Sequence, residues 1–505
     1  MLKNLITRGV ASAALISAFA VPALTGPSAA VAQDGPPPMP ANCNVIASGL
    51  LNPRAVTVAE DGTIYVIEAG DGGDEAVYAV AGDGTPAPAE ALTNRGGTGQ
   101  VTQIAPDGTA SVLVSGLTSH TFGTEVVGPS GGVVVDGTLY VTVGGPGPAI
   151  GIIEPGEHQN KVLAIDIATG EVSIVADINS FEIENNPDPN SIDSNIDGIT
   201  HSNGDLYVAD AGGNAVYKIN IASGDVSVFA VIPGIPAPGM ANPERGGAEE
   251  LDPVPTSVLV NEDGSVLVGV LSGGPFPPGA AGYYTVAADG TVGEYTAGMT
   301  MVMGIDRGPD DLVYASSFAS DLIAGNPFGS VTRVNEDGSL SVVVPGLFLG
   351  SGIAFGADGS LLTLAISSME PGTPASGVLL SCDTSDEAVA GALEAAAAMA
   401  AGGEASAEAE GAADLPTEVA IESIDIDFNV DTIEIPANTD VTITITNNGV
   451  AAHDFVVEGT EIDSGYINGG SSATVTVNLA PGEYVFFCSV PGHRAAGMVG
   501  TLIVK

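Results

Sequence analysis

Apolar and polar residues alternate along most of this chain, and Asp-Gly or Asn-Gly pairs break the alternation at short intervals. A period of two marks half-buried strands, and Asp-Gly or Asn-Gly between two such runs marks a tight hairpin. From residue 44 to 382 the pattern recurs as a two-part unit. Its first hairpin turns at Asp61-Gly62, Asp136-Gly137, Asn203-Gly204, Asp263-Gly264, Asp310-Asp311 and Asp358-Gly359. Its second turns at Asp107-Gly108, Thr169-Gly170, Ser223-Gly224, Asp289-Gly290 and Asp337-Gly338. Two hairpins in succession make a four-stranded sheet, the repeating unit of a β-propeller.

Five such units are complete. The sixth has strands near 353–355, 361–366 and 377–381, and it lacks a fourth. The segment Val45 to Leu50 matches the fourth-strand pattern of Ser111 to Leu117, so the N-terminal strand is expected to complete the last blade. Closure of this kind removes an exposed sheet edge. The register brings Cys43 beside Cys382, and a Cys43–Cys382 disulfide is expected to seal the ring.

After Asp383 the pattern changes. Residues 386–401 are rich in Ala and Glu and suit a short helix, and 402–417 read as a flexible, self-repelling linker. Alternation resumes beyond Val419, over 421–428, 432–435, 441–446, 473–479, 484–487 and 500–504, which suits a small β-sandwich. The chain is therefore expected to be all-β. A six-bladed propeller over 42–383 would be followed by a linker over 384–418 and a Greek-key sandwich over 419–505.

The N-terminus carries Lys3 and Arg8, an apolar run from Val10 to Leu24, and Ala30-Val31-Ala32. That order marks residues 1–32 as a secretory signal, with a Pro-rich lead-in over 33–41 and a secreted or periplasmic mature protein. No later stretch is long and apolar enough to span a bilayer. The net charge of -50, from 61 acidic and 11 basic residues, excludes nucleic acid as a partner, because phosphates would be repelled. It favours basic partners instead.

Of the 3 cysteines, Cys488 is left over by the expected disulfide, and its neighbourhood explains it. His453 follows the strand 441–446, Cys488 ends the strand 484–487, and His493 and Met498 follow in the order Cys-x4-His-x4-Met. Two imidazoles, a thiolate and a weak axial thioether suit both oxidation states of copper. The segments Thr446 to Phe455 and Pro481 to Gly500 resemble the cupredoxins, such as plastocyanin, azurin and auracyanin. The resemblance covers residue 420 onward. It implies one type 1 copper held by His453, Cys488, His493 and Met498. It also implies an electron port at the edge of His493, within a rim of Val450, Ala451, Ala452, Ala495 and Ala496.

The propeller units resemble the ScyD/ScyE family and, more distantly, NHL and streptogramin-lyase-like propellers. The matching segments are Asn52 to Gly62 with Tyr65 to Gly70, Gly128 to Gly132, and Asp193 to Gly198 with Leu206 to Asn214. This resemblance implies a fold and a secreted setting, with no settled activity. His120, His158 and His201 are the propeller histidines. His120 is expected in an inter-blade loop that could line the central channel, and His201 on the surface before a turn. The oxygen-rich segment Asn185 to Asn190, with Asp193 and Asp197, is a candidate Ca2+ loop. These features point to an exported electron-transfer protein with a basic redox partner and an unknown propeller ligand. The alternatives are an oxidoreductase whose propeller feeds electrons to copper, and a copper storage protein.

Overall fold

The structure is a computed structural model. It describes residues 37–78, 93–122, 125–147, 155–189, 192–367, 376–410, 415–424, 427–430, 432–449, 451–457, 460, 462–480, 482–490, 493–494 and 498–505. The expected signal, 1–32, lies outside the described residues, as does part of the lead-in. The chain is all-β and divides into two units, Met1–Ala396 and Ala397–Lys505.

Turn chemistry shapes the first unit. At Asp61-Gly62 the glycine takes φ 85°, where its lack of a Cβ removes the steric cost. Asp61 Oδ1 accepts the N–H of Thr63 at 2.9 Å. The same bond recurs from Thr109 to Asp107, Ser265 to Asp263, Thr291 to Asp289, Ser339 to Asp337 and Ser360 to Asp358. Hydrogen bonds from the residue two positions on hold all these carboxyls below the usual carboxylate range.

The hairpins assemble into six antiparallel sheets of at least four strands among the described residues of this unit. Their innermost strands are Pro53–Val58, Pro129–Val135, Ile196–Ser202, Pro255–Val260, Val302–Arg307 and Ile353–Phe355. Each touches the next, and the last touches the first. Hydroxyl groups stitch this cycle at three places. Ser130 Oγ donates to Ile196 O (2.9 Å), Thr256 Oγ1 to Val302 O (2.7 Å) and Ser351 Oγ to Arg54 O (2.6 Å). Glycine permits the close approach. A Cβ on Gly198 would lie 2.6 Å from Ser257 Cα, and one on Gly352 would lie 2.7 Å from Ala55 Cα. Between the sheets, aliphatic side chains such as Ile67, Val141, Leu163 and Ile165 are fully buried.

The seam lies between the chain's distant ends. Cys43–Leu50 pairs antiparallel with Gly377–Cys382, with Cys43 opposite Cys382, and a disulfide joins the two cysteines. Asn42 Nδ2 donates to Val343 O and to Asp383 O, each at 2.9 Å. The N-terminal strand is thus fastened by a ladder, an amide and a covalent bond.

Two expectations are corrected here. The first sheet is longer than its Asp107-Gly108 hairpin suggests, with strands Thr93–Ile104 and Ala110–Phe122. Residues 93–99 hold no apolar alternation and are strand only through cross-strand partners. His120 therefore sits on a strand and not in an inter-blade loop. The second correction concerns 402–417. One helix spans Asp386–Glu410, because the strong helix preference of Ala and Glu outweighs Gly402-Gly403. No helix among the described residues is long and apolar enough to cross a membrane.

The second unit packs two four-stranded sheets. One holds Asp427–Phe428, Glu418–Ile424, Val441–Asn447 and Ser472–Val477 in that order; the other holds Thr432–Ile435, Val499–Val504, Gly482–Phe487 and Val456–Val457. The single strand expected over 421–428 is two strands. Val456–Val457 is too short for alternation to reveal. Ile443, Ile445, Phe455, Phe486 and Leu502 form the core, with the Phe455 and Phe486 rings stacked at 5.0 Å.

Replacing Cys43 and Cys382 with Ser removes a link across 339 residues of chain. The expected outcome is a loss of about 2–5 kcal/mol in propeller stability, read by denaturant unfolding of the oxidised and substituted chains.

Candidate metal centre

The C-terminal site is built from two ligand-bearing segments braced by backbone hydrogen bonds. His453 follows the strand Val441–Asn447, and it exchanges two bonds with Ile467: His453 N to Ile467 O at 3.1 Å, and Ile467 N to His453 O at 2.6 Å. Asn447 supports the intervening turn, its Nδ2 donating to Ala451 O (2.7 Å) and Ile467 O (2.8 Å). Cys488 follows the strand Gly482–Phe487, and its N–H donates to Met498 O at 3.1 Å. His493 N–H donates to Val490 O, and Met498 N–H to His493 O, each at 3.0 Å. Three of the four expected ligands therefore sit in one hydrogen-bonded loop.

The donor atoms converge. Cys488 Sγ lies 3.5 Å from His493 Nδ1 and 4.0 Å from His453 Nδ1, and the two Nδ1 atoms are 3.2 Å apart. A point equidistant from these three atoms lies about 2.1 Å from each, the length of a bond from a transition metal to imidazole or thiolate. The soft thiolate and two imidazoles are the donors a copper ion takes. His453, Cys488 and Met498 are buried, and His493 is half-buried. Burial pushes the Cys488 thiol up, and the Asp454 side chain adds to this. A bound cation reverses that cost by stabilising the thiolate.

Residues 392–504 match the family model described as Cupredoxin-like domain. The C-terminal unit carries a cupredoxin domain. Solved structures similar to this chain include reduced auracyanin from Roseiflexus castenholzii, at 24% identity, covering 18% of this chain and 97% of that one, with a TM-score of 0.17. Auracyanin A, a "blue" copper protein from Chloroflexus aurantiacus, shares 23% identity over 18% of this chain and 99% of its own, with a TM-score of 0.17. A luciferin-regenerating enzyme shares 8% identity over 67% of this chain and 94% of its own, with a TM-score of 0.38. No curated protein matches the chain.

Other candidate residues lie elsewhere. Ala451 is exposed and Ala452 half-buried, while Val450, Ala495 and Ala496 lie outside the described residues. His120 is fully buried, and burial pushes it down to about 4, so it is neutral at physiological pH. His158 accepts the N–H of Thr118 at Nδ1 (3.4 Å). His201 accepts the N–H of Gly204 at Nε2 (3.2 Å), within its own turn. In the oxygen-rich segment, Asp188 and Asp193 both act electrostatically on the buried Glu182, Asp188 lies 3.7 Å from Arg245 Nη1 and accepts from Asn214 Nδ2 (3.1 Å), and Asp197 stands on an innermost propeller strand. Asn190 lies outside the described residues. Among the described residues, only His453, Cys488 and His493 bring three such donors within 4.8 Å of one another.

The sequence reading missed Asp454, and it named Asp197 without its partners Arg54 and Glu125. Asp454, 2% exposed, accepts the N–H of Ser489 at Oδ1 (2.6 Å) and the hydroxyl of Ser489 at Oδ2. Its position directly after His453 was the available signal. In the propeller, Arg54, Glu125 and Asp197 stand close enough to act on one another electrostatically, and each keeps partial exposure. Arg54 Nη2 donates to Val126 O at 2.5 Å. No local pattern links three residues on three separate strands.

Burial pushes both the Glu125 and Asp197 carboxyls up to about 7, with Arg54 opposing the shift. Between about 4, the unfolded value, and about 7, the folded chain keeps protons that the unfolded chain has lost. Stability therefore falls as pH rises through that window. In Asp197→Asn the fall should be shallower, read as the difference in unfolding midpoint between mildly acidic and mildly alkaline buffer.

Proposed function

We propose that this chain is an exported electron-transfer protein, with one type 1 copper held by His453, Cys488, His493 and Met498. The observation that carries the reading is the convergence of Cys488 Sγ with His453 Nδ1 and His493 Nδ1. Copper bound there supplies reversible one-electron transfer. The chain's own part is to hold the donors in place before and after the electron moves. The exchanged bonds between His453 and Ile467, and the Cys488–Met498–His493 bonds, do this. Met498 is fully buried in the same core as Cys488 and would supply a fourth, weaker thioether ligand to the copper. His493, the half-buried imidazole, is the port through which a partner exchanges electrons. The net charge of -50 draws basic partners. The propeller is the docking or binding module.

A second reading is favoured by Arg54, Glu125 and Asp197. Arg54 and Asp197 on innermost strands, with Glu125 within electrostatic reach of both, are partly exposed ionisable side chains that suit a small-molecule site, which would make the propeller an oxidoreductase that feeds the copper.

Given Cu(II), the purified chain should turn intensely blue through thiolate-to-metal charge transfer, and bleach and recover as reductant and oxidant are added. Cys488→Ser should lose both the colour and the cycling. Uptake of Cu(II) without a charge-transfer band by the unaltered chain would sink the first reading. The second expects culture metabolites to bleach the colour in a manner that Arg54→Ala abolishes, with bleaching by ascorbate unchanged.

A further inference from the structure

We infer that a Ca2+ ion binds inside the propeller beside Asp210, with Asp210 Oδ2 as its anionic ligand and Ser194 Oγ and the Asp193 carbonyl oxygen next to it. The inference does not depend on the copper reading above.

Asp210 ends the strand Asp205–Asp210 and is fully buried. Its Oδ1 accepts the N–H groups of Asn195 (2.8 Å), Gly212 (3.1 Å) and Gly213 (3.0 Å). Its Oδ2 accepts no hydrogen bond. The Ser194 hydroxyl lies near the same carboxyl, is fully buried and also finds no partner in hydrogen-bonding geometry. Asn160 Nδ2 donates to Ser194 O at 3.0 Å, and the buried Asn160 Oδ1 has no donor. Three buried oxygens on neighbouring residues are thus left over, and an ion is one of the groups that fills such a gap. Gly213 keeps the space open. A Cβ there would lie 3.0 Å from Asp210 Oδ2 and 3.1 Å from the Asp193 carbonyl oxygen, so the two oxygens border one hollow.

The surrounding charge points the same way. Asp188, Asp193 and Asp210 all act on Glu182, which is fully buried and accepts the Tyr217 hydroxyl at 2.7 Å. Against these four carboxyls stands Arg245, 3.7 Å from Asp188 and shared with Glu250 and Asp252. Buried carboxylates are costly unless they are paired or bind a metal. The donors are carboxylate, hydroxyl, amide and carbonyl oxygens, a set that suits a hard cation. Ca2+ takes about 6–8 oxygens in irregular geometry and completes the number with carbonyls and water. Glu182 and Asp188 can therefore supply charge without touching the ion. Of the oxygen-rich segment, Asp188 and Asp193 stay with this site, and Asp197 stands instead with Arg54.

The test titrates the full chain, stripped of metal by a chelator, with CaCl2. Heat of binding and the unfolding midpoint are both read. One Ca2+ per chain should bind saturably, and the midpoint should rise with its concentration by mass action. Asp210→Asn keeps an acceptor for the three N–H groups and removes the charge, and it should weaken Ca2+ binding about tenfold or more. Ser194→Ala should weaken it less. Asp107→Asn removes the same charge from an exposed hairpin turn and should leave binding as it is. Cys488→Ser should also keep the uptake, which separates this site from the copper centre. Should Asp210→Asn fail to fold, Glu182→Gln retains an acceptor for Tyr217 and should weaken binding about tenfold. Uptake that Asp210→Asn or Glu182→Gln leaves equal to that of the unaltered chain places the ion elsewhere on the acidic surface and overturns the inference. An unaltered chain that takes up no Ca2+ overturns it as well, and either result leaves the copper reading standing.

Discussion

Backbone hydrogen bonding between segments far apart in sequence holds both units of this chain together. An unpaired strand exposes N–H and C=O groups that must find partners, and here the partners are distant. In the propeller, Cys43–Leu50 completes a sheet whose other strands begin at Ile353. In the C-terminal unit, Thr432–Ile435 lies parallel to Val499–Val504, and Glu418–Ile424 lies parallel to Val441–Asn447. The candidate metal centre uses the same device on a smaller scale. Reciprocal bonds between His453 and Ile467, and the bond from Cys488 to Met498, tie ligand loops to the sheets. Ligand geometry is thereby inherited from sheet geometry.

The acidic composition is handled in two opposite ways. Aspartates at hairpin turns face solvent, where local hydrogen bonds favour the ionised form. These turns add to the negative surface and specify the hairpins at the same time. Carboxyls taken inside are pushed the other way by burial. Glu182, which accepts the hydroxyl of Tyr217 at 2.7 Å, is raised to about 8. The few cations are placed against such groups. Arg245 gathers Asp188, Glu250 and Asp252, and Arg54 faces Glu125 and Asp197. Asp454 is also buried, and it accepts two bonds from Ser489 beside the Cys488 thiol.

Hairpin positions were legible because turn residues and alternation are local and have a fixed period. The Asp-Gly turns mark each sheet, and the spare strand Val45 to Leu50 announces closure with the last one. The grouping of His453, Cys488 and His493 was legible for another reason: these are rare residue types in a chain with 5 His and 3 Cys. Where a segment owes its conformation to its partner, the reading failed. Residues 93–99 look like a polar, glycine-rich loop and become strand through pairing with residues 117–121 and 75–77. The helix Asp386–Glu410 continues across a glycine pair where composition suggested a linker.

By itself, the sequence determined which residues turn, which alternate, and which donor types gather around the C-terminal strands. Those properties depend on neighbours within a few positions. Tertiary structure alone decided that three donor atoms share one point, that His120 is buried, and that Arg54, Glu125 and Asp197 lie together. It alone placed Ser489 against Asp454. Distances of this kind are set by how sheets close and stack, and each contact joins strands whose separation along the chain carries no information about their separation in space.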